Sequence, residues 1–148
     1  MGVSSTKIRK ALEAGDIDTA NKYLGYFYRL TGTVSEGEKL GRTLGFPTAN
    51  LEVLEPLKLI PARGVYAVYG KVKGRKLKGM LNIGVRPTVG GLNQTIETNF
   101  FDFDQDIYHQ ELQLELVARL RDEQKFPGLE ALKAQLTKDQ EAALKVLV

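Results

Sequence analysis

Residues 111–120 read Glu-Leu-Gln-Leu-Glu-Leu-Val-Ala-Arg-Leu, and no other stretch limits the possible folds as tightly. In an extended chain Leu112, Leu114, Leu116, Ala118 and Leu120 share one face, opposite Glu111, Gln113, Glu115 and Arg119. A strand of this kind wants a core on one side and water on the other, as antiparallel sheets provide. The stretches before it are also strand-like. Tyr26 to Val34 is rich in aromatic and β-branched residues, and extended segments follow at Thr48–Val53, Gly64–Val72, Leu77–Gly84 and Gln94–Phe101. Gly74 and the pair Gly90-Gly91 supply turns. A helical pattern comes only afterwards, with Leu129, Leu132, Leu136 and Ala143 following Pro127-Gly128. Residues 4–25 read as two short helices, with Ser4 or Ser5 as a cap, a break at Gly15-Asp16 and an end at Gly25. Strand after strand argues against βαβ units. The expectation is mainly β: about six antiparallel strands in a small Greek-key barrel, with a C-terminal α-helix and short N-terminal helices.

Composition excludes several functions. The 148 residues contain no cysteine and one histidine, His109, so disulfides and thiolate metal sites are ruled out. No apolar run approaches the ~18 residues of a membrane span, and no signal-peptide pattern opens the chain, so a cytoplasmic protein without membrane contact is expected. The net charge of +3 permits a polyanionic partner without naming one. Lys71, Lys73, Arg75, Lys76 and Lys78 cluster around Gly74, which reads better as a solvated hairpin tip than as a nucleic-acid contact.

Chemistry concentrates between Gly32 and Asn50. Gly37, Gly41 and Gly45 let backbone N–H groups approach an anion, with Lys39 and Arg42 beside them. This is not a P-loop: Glu36 stands where its first glycine belongs, Arg42 replaces its lysine, and no helix pattern follows. Pro47 sets one φ and favours an extended Phe46, and two residues apart the Thr48 and Asn50 side chains point the same way. Their neutral oxygens suit a hard cation that shares phosphate oxygens, and equally suit a proline-started turn.

The run from Lys39 to Leu51 resembles the signature of riboflavin kinases. The similarity continues through Asn82–Thr88, Ile96-Glu97-Thr98, Phe101–Asp104 and Leu120–Phe126, in order over residues 25 to 145. It implies a six-stranded Greek-key barrel that uses ATP to phosphorylate the ribityl 5′-hydroxyl of riboflavin, giving FMN and ADP. By position, Gly37, Lys39, Gly41 and Arg42 would belong to a flap over the ATP phosphates, and Thr48 and Asn50 would contact phosphate and Mg²⁺. Glu97 would be the catalytic base, Tyr108 would lie near adenine, and Arg121 and Phe126 would face the flavin. ATP enters as co-substrate, and no tightly bound prosthetic group is expected. Two residues depart from the pattern: Asn99 stands where histidine is common, and His109 where glycine is common in a turn that favours positive φ.

Ser4 to Arg9 resembles the motif near the end of the adenylyltransferase domain that precedes this module in bacterial FAD synthetases. Residues 1–24 are therefore expected to be linker helices from that domain, and 25–148 a monomeric kinase module normally fused to it. Two rival readings are a small basic barrel that stacks oligonucleotides on Tyr26, Phe27 and Tyr28, and a redox barrel that holds FMN.

Overall fold

A computed structural model describes residues 5–36, 48–55, 57–103 and 107–148, without the side chains of 36 and 86–88. Two helices, α1 (Ser5–Ala14) and α2 (Ile17–Leu24), precede six strands: β1 (Tyr28–Glu36), β2 (Ala49–Val53), β3 (Gly64–Val72), β4 (Arg75–Thr88), β5 (Gly91–Phe100) and β6 (Glu111–Arg121). Helix α3 (Leu129–Val146) follows. The strands close into an antiparallel barrel in the order β1-β2-β5-β4-β3-β6.

Local chemistry sets the helix ends. Asp16 caps α2 by accepting from the Thr19 N–H at 3.2 Å and the Thr19 hydroxyl at 2.6 Å. Gly25 ends it at φ 82, donating its N–H to the Asn21 carbonyl. The first strand then begins at Tyr28 rather than Tyr26. The Asn21 side chain takes the Tyr28 N–H at 2.8 Å and donates to the Leu116 carbonyl at 2.9 Å, fixing where the chain joins the barrel. Tyr26 and Phe27 stay exposed outside the strand while Tyr28 is buried, so the three aromatics do not form one platform.

Inside the barrel, Leu30, Val34, Leu51, Tyr66, Val68, Leu81, Ile83, Leu112, Leu114 and Leu116 are buried, and α1 and α2 add Leu12, Ile17 and Ala20 to the same cluster. Each fully buried aliphatic side chain contributes about 1.5–3 kcal/mol. A second cluster lies on the outer wall, where Val65, Ala67, Tyr69 and Met80 pack with Phe101 and with Ala143 and Leu147 of the C-terminal segment. Strand β3 is therefore covered on both faces.

The alternation of β6 holds only as far as Leu116. Ala67 pairs with Ala118, Val68 with Leu116, Tyr66 with Arg119 and Val65 with Arg121, so Val117 and Leu120 are two added residues, each marking a bulge. Ala118 pairs with outward Ala67, and Leu120 packs in the outer cluster, contrary to the face expected for both. Arg119 pairs with inward Tyr66 and lies over its ring.

The hairpins also differ in detail from expectation. Lys73 and Gly74, at φ 51 and 76, make a two-residue turn that ends the pairing at Val72 and Arg75. Strands β4 and β5 run beyond the expected Gly84 and Gln94, pairing as far as Thr88 and Gly91 across Val89-Gly90.

Candidate active site

Residues directly opposite one another in an antiparallel pair point to the same face. Asn50 is opposite Glu97, Glu97 opposite Asn82, Asn82 opposite Val65, and Val65 opposite Arg121. Ser35 extends the series to β1 by pairing with Asn50. Ser35, Asn50, Glu97, Asn82, Val65 and Arg121 thus form one transverse row on the outer wall. The inward neighbours on β5 are Ile96, Thr98 and Phe100, all buried. The two β6 bulges carry Arg121 into the row, since uninterrupted pairing would bring Arg119 opposite Val65.

A cleft of about 460 Å³ opens over this row. Thr48, Glu97, Asn82 and Asn99 line its barrel side. Arg121, Glu123, Lys125 and Phe126 line the segment leading to α3, and Leu132 and Leu136 of α3 close it with an apolar wall. Arg63 reaches it from the β2–β3 connection. A pocket of this size with one apolar wall and a few convergent polar groups suits a small flat ligand with a polar tail.

Thr48, Glu97, Arg121 and Phe126 therefore meet in one cleft. Asn50 stands beside Glu97 but lines a second, more polar opening where β2 and β5 part after only two paired positions. Its Nδ2 donates to the Ser35 hydroxyl at 3.0 Å, so Oδ1 is the acceptor the amide retains for a ligand. Tyr108 does not line the cleft. It lies in the turn before β6 and packs against the edge of the barrel core. Next to it His109 takes φ 66, its N–H donating to the Val34 carbonyl at 2.7 Å, so the turn adopts the positive φ without glycine. Gly37, Lys39, Gly41 and Arg42 lie outside the described residues.

Arg121 is tied to the scaffold. Its Nε and Nη2 donate to the two oxygens of buried Asp139 on α3, at 2.9 and 2.8 Å, and Nη1 donates to the Asp122 carbonyl at 3.0 Å. Gln135 also donates to Asp139 at 2.9 Å, and the guanidinium lies 5.7 Å from the Phe126 ring centre. Arg121 thus braces Phe126 and α3 against the barrel, and among the described residues two of its five N–H donors have no partner.

Asn82, Arg63, Glu123, Lys125 and Asp139 were not singled out from the sequence. Asn82 falls within the run already noted at 82–88, and Glu123 and Lys125 within that at 120–126. Asp139 had a signal of its own: it continues the helical spacing of Leu132, Leu136 and Ala143, an acid on an apolar stripe. Among the described residues no group of three or more His, Asp or Glu side chains could hold a metal ion. Thr48 and Asn50 suit a magnesium ion that keeps water and phosphate as its other ligands.

The sequence model of a family described as riboflavin kinase (Flavokinase) matches residues 24–147. The chain belongs to the riboflavin kinase family. Its domain is homologous to the kinase part of bifunctional riboflavin kinase/FMN adenylyltransferases. It is 46% identical over 142 residues to such a protein from Haemophilus influenzae, covering 95% of this chain and 46% of the relative. The Bacillus subtilis counterpart is 42% identical over 146 residues, covering 97% and 46%. The chain spans about half the length of these relatives. Among solved structures, one called a macrolide-efflux protein, from Streptococcus pneumoniae, superposes at a TM-score of 0.90 with 38% identity, covering 96% of this chain and 46% of that one. A Trypanosoma brucei riboflavin kinase superposes at 0.56 with 23% identity, covering 80% of this chain and 76% of that one, and shares the fold. No helix among the described residues is long and apolar enough to cross a membrane.

Proposed function

We propose that this riboflavin kinase domain transfers the γ-phosphoryl group of ATP to the 5′-hydroxyl of riboflavin, giving FMN and ADP. The observation that carries the reading is Glu97, a carboxylate between Asn50 and Asn82 on a row that opens into a cleft with an apolar far wall. The isoalloxazine fits against Phe126, Leu132 and Leu136, with the ribityl chain running toward Glu97. As the 5′-oxygen attacks the γ-phosphorus, its proton passes to a Glu97 carboxylate oxygen and the bond to the β-phosphate oxygen breaks. Phosphoryl transfer depends mainly on alignment and charge stabilisation. Thr48 and Asn50 hold the phosphate end in line, while Arg121, anchored by Asp139, keeps the flavin end rigid. Mg²⁺, held through Thr48 and Asn50 together with phosphate oxygens, would neutralise charge on the transferred group.

The same reading makes residues 1–24 the linker helices of a larger protein, and residues 25–148 a cytoplasmic, monomeric kinase module. The chain should make FMN and no FAD. Incubation with riboflavin, ATP and Mg²⁺, followed by chromatographic separation of flavins, tests this directly. Absence of FMN across a range of divalent metals and reductants overturns the reading.

A further inference from the structure

Glu123 sits in the segment between β6 and α3, and its carboxylate lies against the backbone of Gly84 on β4. A methyl group at Gly84 would collide with Glu123 Oε2, while the Thr95 hydroxyl would be 3.5 Å away. Glycine at this outward position is therefore what lets the carboxylate rest on the sheet. Gly84 is opposite Thr95, and Asn82 is opposite Glu97, so Glu123 rests one outward position along the wall from Glu97. Diagonal neighbours on adjacent strands are about 7–8 Å apart. Both carboxylates line the same cleft. Glu123 stands on the β4 side of Glu97, away from Thr48 and Asn50. Among the described residues it has no hydrogen bond or ion pair, although Lys125 and Arg63 line the same space.

We propose that Glu123, seated on Gly84, is a specificity-determining residue that favours the uncharged flavin over its phosphorylated product. This rests on the riboflavin kinase reading above. A carboxylate accepts a hydrogen bond from a hydroxyl of a neutral polyol. It repels a phosphomonoester, which carries about −1.5 to −2 charges at pH 7. The phosphate is formed next to Glu97, within reach of the Glu123 charge, and two like charges at that separation repel. Glu123 thereby sharpens the choice of substrate and speeds release of product.

The test measures riboflavin and FMN affinities by flavin fluorescence in the wild type, Glu123→Gln and Gly84→Ala. Glu123→Gln should tighten FMN relative to riboflavin by about five- to tenfold, and the gain should shrink at high salt. Product inhibition by FMN should strengthen in parallel. Gly84→Ala, which displaces the carboxylate without removing it, should move the ratio in the same direction, and the double variant should add nothing to Glu123→Gln. An FMN-to-riboflavin affinity ratio in Glu123→Gln within twofold of wild type overturns the proposal. Glu123 is exposed, so this variant decides the matter even if Gly84→Ala does not fold. If the wild type makes no FMN, the kinase reading falls and this proposal with it. If it makes FMN and the ratio does not move, this proposal falls alone.

Discussion

Arg121 and Asp139 meet through two parallel hydrogen bonds of 2.9 and 2.8 Å, joining the end of β6 to the middle of α3. Asp139 is 3% exposed, and that guanidinium and Gln135 supply the hydrogen bonds to its buried oxygens. Asp139→Ala leaves Arg121 unpaired beside an apolar wall and should destabilise the protein by about 3 kcal/mol. Asp139→Asn, which keeps one acceptor, should lose less. Chemical denaturation gives both values. Because Leu132 and Leu136 line the cleft from the same helix, Asp139→Ala should also raise the KM for riboflavin more than that for ATP.

Glu97 and Asn82 give the sharpest test of the proposed base. Glu97→Gln should lower kcat by about 10²–10⁴-fold, the usual worth of general-base help. Near-normal turnover in that variant would remove Glu97 from the mechanism. Asn82→Asp puts a second carboxylate directly opposite, and a like charge at that distance raises the pKa of its neighbour. The acid limb of the kcat/KM profile should move to higher pH, whereas Asn82→Ala should leave the limb in place.

Tyr28 makes stability depend on pH at the alkaline end. Burial, then the Glu55 carboxylate and Tyr26, push its hydroxyl from 10.0 up to about 12, and the hydroxyl donates to the Leu59 carbonyl at 2.6 Å. The folded value lies above the unfolded one, so this contribution is complete below pH 10 and is lost as pH climbs through 12. Burial also raises the Tyr66 hydroxyl, which adds to the same slope. Tyr28→Phe should be less stable at neutral pH by about 1 kcal/mol, and should show a shallower loss between pH 10 and 12. Urea midpoints across that range check this.

Thr98 turns inward beside Ala49 and Leu81 and is 1% exposed, and among the described residues its hydroxyl has no hydrogen-bond partner. Valine has nearly the same shape without the polar oxygen. Thr98→Val should stabilise the fold by about 1 kcal/mol, read as a rise in Tm. A loss of stability would mean that the hydroxyl is satisfied in solution.

His109 holds φ 66 in the turn before β6. An L-residue there costs roughly 1–2 kcal/mol, part of which glycine returns as unfolded-state entropy. His109→Gly should therefore stabilise by about 0.5–1 kcal/mol in the same denaturation assay.

The face of Glu97 was legible because β5 alternates Ile96, Thr98 and Phe100 against Thr95, Glu97 and Asn99, a local pattern that a chain carries with it. The row through Asn50, Asn82 and Arg121 was not legible, because register between strands depends on partners far apart in sequence. The bulges at Val117 and Leu120 escaped for the same reason: an extra residue exists only relative to the opposite strand. Tyr26 and Phe27 were assigned to a strand on aromatic content, but the Asn21 side chain decides where pairing begins. The binding of Arg121 by Asp139 joins a strand end to a helix face, and neither segment announces the other.

The row that carries Asn50 and Arg121 has a mechanical consequence. From β2 to β6 it takes four interstrand steps of about 4.8 Å, or about 19 Å along the wall. Backbone hydrogen bonds, not side-chain packing, set that length, so it behaves as a ruler with fixed marks. Loops at the barrel ends can lengthen, shorten or change composition without altering the spacing between Asn50 and Arg121. A substitution within a strand changes what stands at a mark and leaves the marks where they are.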